Sequence, residues 1–299
     1  MDTYLSGYHI LRDVREALGE YSDDLMRGAD RSGAYSNTFL MRRINEAQWL
    51  LYALLMKTIP DEFYAEAAIP AVSSELALPW DFGRIVQLRD SQGVQVVPVR
   101  PAARPPLADA GSKLRYYRKG RSLYLTLSGV SDTYTLYYRR APREIHAGVA
   151  SAGGATTITL DDAFAPVIAD YYNGMTLENL TSGWVDEIDD YSTARVATIS
   201  ETAAAKDIYG LVSELPDPFH YLIAPRASIE ARLKHPNPKA PVTPNEITLW
   251  QGQVLEALTS FNLAEDQLDP VSLWSDIGAG SGVRQVILPG HDDPVLDLY

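Results

Sequence analysis

Ile85-Val86-Gln87-Leu88-Arg89-Asp90-Ser91-Gln92-Gly93-Val94-Gln95-Val96-Val97-Pro98-Val99 is the stretch on which the fold turns. Apolar and polar residues alternate on both sides of Asp90-Ser91-Gln92-Gly93, and a period of two makes a strand with one face buried and one wet. The polar, glycine-ended insert is turn chemistry, so the stretch reads as a hairpin. Two more strands follow, Arg115-Tyr116-Tyr117-Arg118 and Ser122-Leu123-Tyr124-Leu125-Thr126-Leu127, around a turn at Lys119-Gly120. Tyr134-Thr135-Leu136-Tyr137-Tyr138 adds another, and its Tyr and Thr suit a pleated, half-buried surface. Residues 60–143 therefore read as an antiparallel β unit.

Upstream the period changes. Phe39, Leu40, Ile44, Ala47, Leu51, Leu54 and Leu55 recur at three- and four-residue steps and predict one helical face. Pro60 ends that run by denying the helical region to the residue before it. A shorter helix is predicted from Ile10 to Leu18, closed by Gly19.

Downstream, residues 144–213 read as a second, separate β module. Thr156-Thr157-Ile158-Thr159-Leu160 is a strand, Asn173-Gly174 a tight turn before Met175-Thr176-Leu177-Glu178, and Arg195-Val196-Ala197-Thr198-Ile199 the last strand. Helices return with Phe219, Leu222, Ile223, Ile229 and Leu233, where Pro225 bends the helix or delays its start. Thr243, Pro244 and Glu246 form a capping box ahead of the stripe Ile247, Trp250, Val254, Leu258 and Phe261. After Pro270 only short apolar pieces remain.

These readings predict an α+β protein. A helical bundle is formed by the N- and C-terminal helices (1–59 and 214–265), because each has one stripe to bury. The antiparallel β unit (60–143) and the small acidic β module (144–213) are inserted between them, and residues 266–299 form an extended C-terminal arm.

The chain has 299 residues, 46% of them apolar, which suits about two globular domains. There are 26 Lys and Arg against 39 Asp and Glu, a net charge of −13, opposite to what a phosphate-gripping surface carries. The charge is unevenly divided. The β unit carries +4, the β module −9, residues 1–59 −1 and residues 214–299 −7. Such segments suggest complementary surfaces, within one chain or between copies. Cysteine is absent, which removes disulfides, thiol nucleophiles and Cys-type zinc sites, and fits synthesis in a reducing cytoplasm. The start, Met-Asp-Thr-Tyr-Leu-Ser-Gly, lacks a secretory pattern. The longest apolar run, Trp49 to Met56, is far short of the ~20 residues of a membrane span, so no membrane partner is expected.

Chemistry is sparse. The sequence has no Gly-x-Ser-x-Gly elbow and no Gly-x-x-x-x-Gly-Lys phosphate loop. Gly278-Ala279-Gly280-Ser281-Gly282 reads as a linker. His9, His146, His220, His235 and His291 fall in different elements, away from metal-ligand spacing. Asp186-Glu187-Ile188-Asp189-Asp190 lacks the glycine and terminal glutamate of a calcium loop and reads as a solvated strand. Catalytic, cofactor and metal residues are therefore expected to be none. Lys113, Arg115, Arg118, Lys119 and Arg121, interleaved with Tyr116 and Tyr117, form a basic aromatic cluster. It fits a solvated hairpin tip, a contact with an acidic neighbour, or a nucleic-acid patch, the last opposed by the acidic chain around it.

Three places carry a family likeness: Met41-Arg42-Arg43-Ile44-Asn45-Glu46-Ala47; Leu78-Pro79-Trp80-Asp81-Phe82-Gly83-Arg84-Ile85 with Leu136-Tyr137-Tyr138-Arg139-Arg140-Ala141-Pro142; and Leu215-Pro216-Asp217-Pro218-Phe219-His220. In these and in its element order the chain resembles the head-to-tail adaptor (connector) proteins of tailed bacteriophages. Asp170-Tyr171-Tyr172-Asn173-Gly174-Met175-Thr176-Leu177, with Asp189-Asp190-Tyr191 and Arg195-Val196-Ala197-Thr198, is similar to a β module inserted in phage structural proteins. The resemblance implies a non-enzymatic virion protein made in the host bacterial cytoplasm and placed in the neck. It implies a homo-oligomeric ring of about twelve copies beneath the portal protein, closed by heterologous contacts. It also implies docking of tail nozzle or tail-tube proteins, and a channel for transient passage of double-stranded DNA.

On that basis Trp274, Val286, Ile287, Leu288, Val295, Leu296 and Tyr299 are the expected partner anchors. Arg115, Arg118, Lys119 and Arg121 would meet Asp186, Glu187, Asp189 and Asp190 across subunits or partners. Two other readings stand beside this one: another phage tail or baseplate structural protein, or a carbohydrate-binding β protein whose Tyr and Trp rings stack on sugars.

Overall fold

The computed structural model describes residues 5–21, 35–99, 114–126, 131–161, 165–236 and 241–261. It begins with α1 (Gly7–Ala17), which closes at Gly19, where φ is +70°. Next comes α2 (Asn37–Thr58), whose first turn is capped by Ser36 accepting from the Phe39 N–H. A 3₁₀ turn at Pro60–Phe63 then feeds the chain into a β-barrel.

Seven strands close that barrel: β1 (Tyr64–Val72), β2 (Glu75–Ala77), β3 (Phe82–Arg89), β4 (Gln95–Pro98), β5 (Arg115–Lys119), β6 (Ser122–Leu125) and β7 (Thr133–Arg140). Their spatial order is β1-β2-β6-β5-β4-β3-β7, with β7 pairing back onto β1. Every pair is antiparallel except β4 with β5. Ser73 and Ser74, both at positive φ, turn β1 into β2. Register shifts within β3 bend it and help the sheet to close. Alternate residues fill the interior, among them Ile69, Leu88, Leu123, Tyr134, Leu136 and Tyr138.

A compact sandwich follows, made of short strands: β8 (Ala147–Val149), β9 (Ala152–Gly153), β10 (Thr157–Thr159), β11 (Thr176–Asn179), β12 (Trp184–Glu187), β13 (Asp190–Tyr191), β14 (Val196–Thr198) and β15 (Ile208–Leu211). One sheet runs β13-β14-β10-β9 and the other β12-β11-β15-β8. A second 3₁₀ turn, Asp217–Leu222, leads to α3 (Ile223–Lys234) and then α4 (Pro244–Ser260). The α4 capping box is present in full, Thr243 and Glu246 each bonding the other's backbone.

α1 lies directly on the β8–β15 edge. A Cβ on Gly7 would sit 2.7 Å from the His146 carbonyl, and one on Gly210 would sit 2.8 Å from the Tyr8 nitrogen, so this approach requires glycine on both sides. Ser6 forms a β-bridge to Val212 just before the helix. The buried Arg15 guanidinium then ties α1 to the start of α2 through the Tyr35 carbonyl (3.1 Å) and Asn37 Oδ1.

The expected helical bundle formed by N- and C-terminal helices is overturned by this arrangement. Four α-helices are present among the described residues; they touch one another, but they form no bundle with a core of its own, because their apolar faces share one core with the sandwich. Leu177, Tyr209 and Leu211 of the strands belong to the same buried cluster as Ile10, Leu54 and Trp250 of the helices. The strands of the sandwich are two to four residues long, and a helix layer covers what they cannot. The β unit is likewise not a plain antiparallel insertion. It is a closed barrel with one parallel pair and its own core. The arm at 266–299 lies outside the described residues.

Candidate functional site

Polar side chains on α2 grip both connectors that leave the barrel and the sandwich. Asn45 Nδ2 donates to the Ile145 carbonyl (3.1 Å), while Asn45 Oδ1 accepts from the Ile145 N–H (2.8 Å). Gln48 donates to the Arg143 carbonyl (2.8 Å) and accepts from Ser213 Oγ (2.6 Å). Asn45 and Gln48 are buried, and their whole hydrogen-bonding capacity toward the connectors would be lost with an apolar substitute.

Beside them is the joint between barrel and sandwich. Arg143 reaches Glu214 bidentately, Nε to Oε2 at 3.1 Å and Nη2 to Oε1 at 2.7 Å, and donates from Nη1 to the Tyr171 and Asn173 carbonyls. Asp81 at the barrel foot accepts from Tyr138 Oη (2.9 Å). Burial pushes the Asp81 carboxyl above its ordinary range, against the pull of the Tyr138 bond and the Arg143 charge. Trp80 packs edge-on against Tyr171, 5.8 Å between centroids, so the two β bodies meet through rings as well as charges. Burial raises the Tyr171 phenol to about 12.

This joint absorbs part of the basic cluster. Arg121 lies 4.0 Å over the Trp80 ring and donates from Nη2 to the Pro79 carbonyl (2.6 Å). Arg118 lies 5.1 Å over Phe82 and donates from Nε to the Gly120 carbonyl. Tyr116 is inside the barrel and Tyr117 is stacked on Tyr124, 5.5 Å apart, so neither ring stands clear as a platform for a base. Arg115 and Lys119 remain exposed on β5. Lys113 lies outside the described residues.

The acidic set gathers at the β12–β13 end of the sandwich. Burial works to raise Asp186, but the Ser200 N–H and hydroxyl (2.9 Å), with the Glu187 N–H (2.9 Å), hold it below the usual carboxylate range. Glu187, Asp189 and Asp190 are exposed. No ion pair among the described residues joins these four carboxylates to Arg115, Arg118, Lys119 or Arg121. Trp274, Val286, Ile287, Leu288, Val295, Leu296 and Tyr299 all lie outside the described residues.

One constellation escaped the sequence. Ser6 Oγ and Glu178 Oε2 each lie 3.2 Å from His9 Nδ1. A nucleophile relay needs the serine and the acid on opposite ring nitrogens, and here both meet the same one. Ser6 is also fully buried at the β-bridge. Burial raises Glu178, yet the His9 and Ser6 bonds outweigh it and leave the carboxyl below its usual range. The trio fastens α1 to β11. Ser6 and His9 are neighbours in sequence but Glu178 is far from both, and only the close packing of α1 on the sheet brings it to them. Among the described residues no three His, Asp or Glu side chains are placed to hold a metal ion, and no helix is long and apolar enough to cross a membrane.

No protein-family model matches the chain, and neither does any curated protein.

Proposed function

We propose that this chain is a structural virion protein, a head-to-tail adaptor whose copies form a ring beneath the portal and carry the docking surface for the tail. The observation that carries the reading is charge separation on one chain. Arg115 and Lys119 stand exposed on the barrel, while Glu187, Asp189 and Asp190 stand exposed on the sandwich, with no ion pair between the two sets among the described residues. A closed ring needs two different faces that fit each other, and opposite charges on two bodies of one subunit supply them. The resemblance in element order and in the Leu78–Ile85 and Leu136–Pro142 segments supports the same reading. A channel through such a ring passes DNA best when it does not bind it, and a net charge of −13 favours repulsion.

Charge reversal tests the contact. Arg115→Glu with Lys119→Glu, and separately Asp189→Lys with Asp190→Lys, are each expected to reduce the sedimenting oligomer to monomer. Mixing the two variants is expected to restore association. Wild type that sediments as a monomer at low salt, or variants that assemble unchanged, would overturn the proposal.

A further inference from the structure

Among the described residues β1, like β3, is a long strand of the barrel with a neighbour along only part of one edge, and only the β1 edge borders a groove. Its pairing with β2 covers Ala71↔Leu76 and Val72↔Glu75 and stops there. The Ala71 N–H donates to the Asp132 carbonyl on the β7 side. Because main-chain groups alternate along a strand, those of Glu66, Ala68 and Pro70 point the other way. Among the described residues no strand lies beside them. An apolar groove of about 440 Å³ opens at this place, between residues 67–72 and 75–79. Its outer wall is small, with Ala68, Pro70 and Ala77 exposed, so a second backbone can come close. Pro70 lacks an N–H, which limits strand addition to the part before it.

The sequence holds a segment that fits. Val286-Ile287-Leu288 is a three-residue apolar run, β-branched at two positions and closed by Pro289, and at ~3.3 Å per residue it spans about 10 Å, the rise from Glu66 to Ala68 and one residue more. Arg284 precedes it by two positions, Glu75 stands exposed on the groove wall, and Glu66 is exposed on β1 one residue before the groove begins. Reach is ample. Phe261, after α4, packs its ring 5.7 Å from that of Phe219, five residues from Glu214 at the barrel joint. Those five residues cover at most ~19 Å, and the stretch from Phe261 to Val286 can extend to ~80 Å. A tether of that length holds the segment at an effective concentration on the order of millimolar, which favours the chain's own segment over that of another copy.

We propose that the open edge of β1 and its groove form a docking site for the chain's own Val286–Leu288, which adds there as a further strand. Main-chain bonds to Glu66 and Ala68 give it register, and the small outer residues admit its side chains. This site is independent of the adaptor reading and stands or falls without it.

The absence of cysteine makes the test clean. In the full-length chain, Ala68→Cys is combined in turn with Val286→Cys, Ile287→Cys and Leu288→Cys, and with Gln267→Cys as a tether control. Under mild oxidation a disulfide within one chain is expected for alternate positions of the three, with a yield on the order of tenfold above the control. Adding Ile287→Pro to a linking pair at 286 or 288 is expected to abolish the excess. Yields equal to the control at all three positions, or a disulfide that forms only between chains, would overturn the proposal. Ala68 points outward from the barrel, so a folding defect is not expected, and the circular dichroism of each variant checks that.

Discussion

His146 is wholly enclosed, its Nδ1 3.0 Å from Tyr209 Oη, and burial pushes its pKa down to about 3. An unfolded histidine titrates near 6.5. Between those values the unfolded chain binds a proton that the native state refuses. The stability is therefore whole above about pH 6.5 and falls as the pH drops, by ~1.4 kcal/mol per pH unit for one such group. His220 acts in the same direction, since burial lowers it while its ring accepts from the Leu5 N–H and meets the Leu215 carbonyl. Asp81 and Glu144, both raised by burial, oppose the loss near pH 4. Urea unfolding between pH 7 and pH 5 is expected to show the fall, and His146→Gln to make it shallower by about one proton. An unchanged slope in that variant would contradict the assignment. At the joint, Arg143→Met strands Glu214 and should cost about 3 kcal/mol, whereas Arg143→Met with Glu214→Leu should cost clearly less. Equal losses would mean that the pair acts only by packing.

Elements separate into those whose signal is local and those that need distant partners. Thr243-Pro244-x-Glu246 was legible because a capping box lies within four residues, and Thr243→Ala should cost about 1 kcal/mol by denaturant unfolding. The hairpin at 85–99 was legible for the same reason: alternation plus Gly93, which sits at φ +78°. β1 was not. Its inward residues include Ala65, Ala67 and Ala71, too small to print a strong alternation, and its turn is Ser73-Ser74 with no glycine. The parallel contact of β4 with β5 joins strands separated by residues 99–114, and no local pattern announces it. In the sandwich no strand buries more than two side chains and β9 and β12 bury none, so nothing in 144–213 reveals that helices complete its core. The joint was half legible. Arg118 and Arg121 were visible as charges, but their rings, Phe82 and Trp80, lie more than thirty positions away. The two cores also make a prediction of their own. Leu136→Ala empties the barrel interior and should cost ~2–5 kcal/mol, with hydrogen-exchange protection falling in β3 and β7 before α2. Simultaneous loss in α2 would mean that barrel and body unfold as one unit.

At the scale of the whole molecule the chain is a barrel and a helix-backed sandwich, locked by Arg143, Glu214, Trp80 and Tyr171 and bearing opposite charge on its two β bodies. A rigid joint matters if the subunit works by shape, since closure of a ring multiplies a small angular error at every contact. Contacts between exposed charges weaken with salt, because the screening length shrinks from ~10 Å at 0.1 M to ~3 Å at 1 M. Assembly is therefore expected to loosen over that range. The most direct consequence of the proposed function is what copies of this chain build together. Electron microscopy of the purified protein at low salt, alone and mixed with a portal assembly, should show closed rings with an axial channel that stack coaxially on the portal. Isolated particles of single-subunit size in both samples would contradict it.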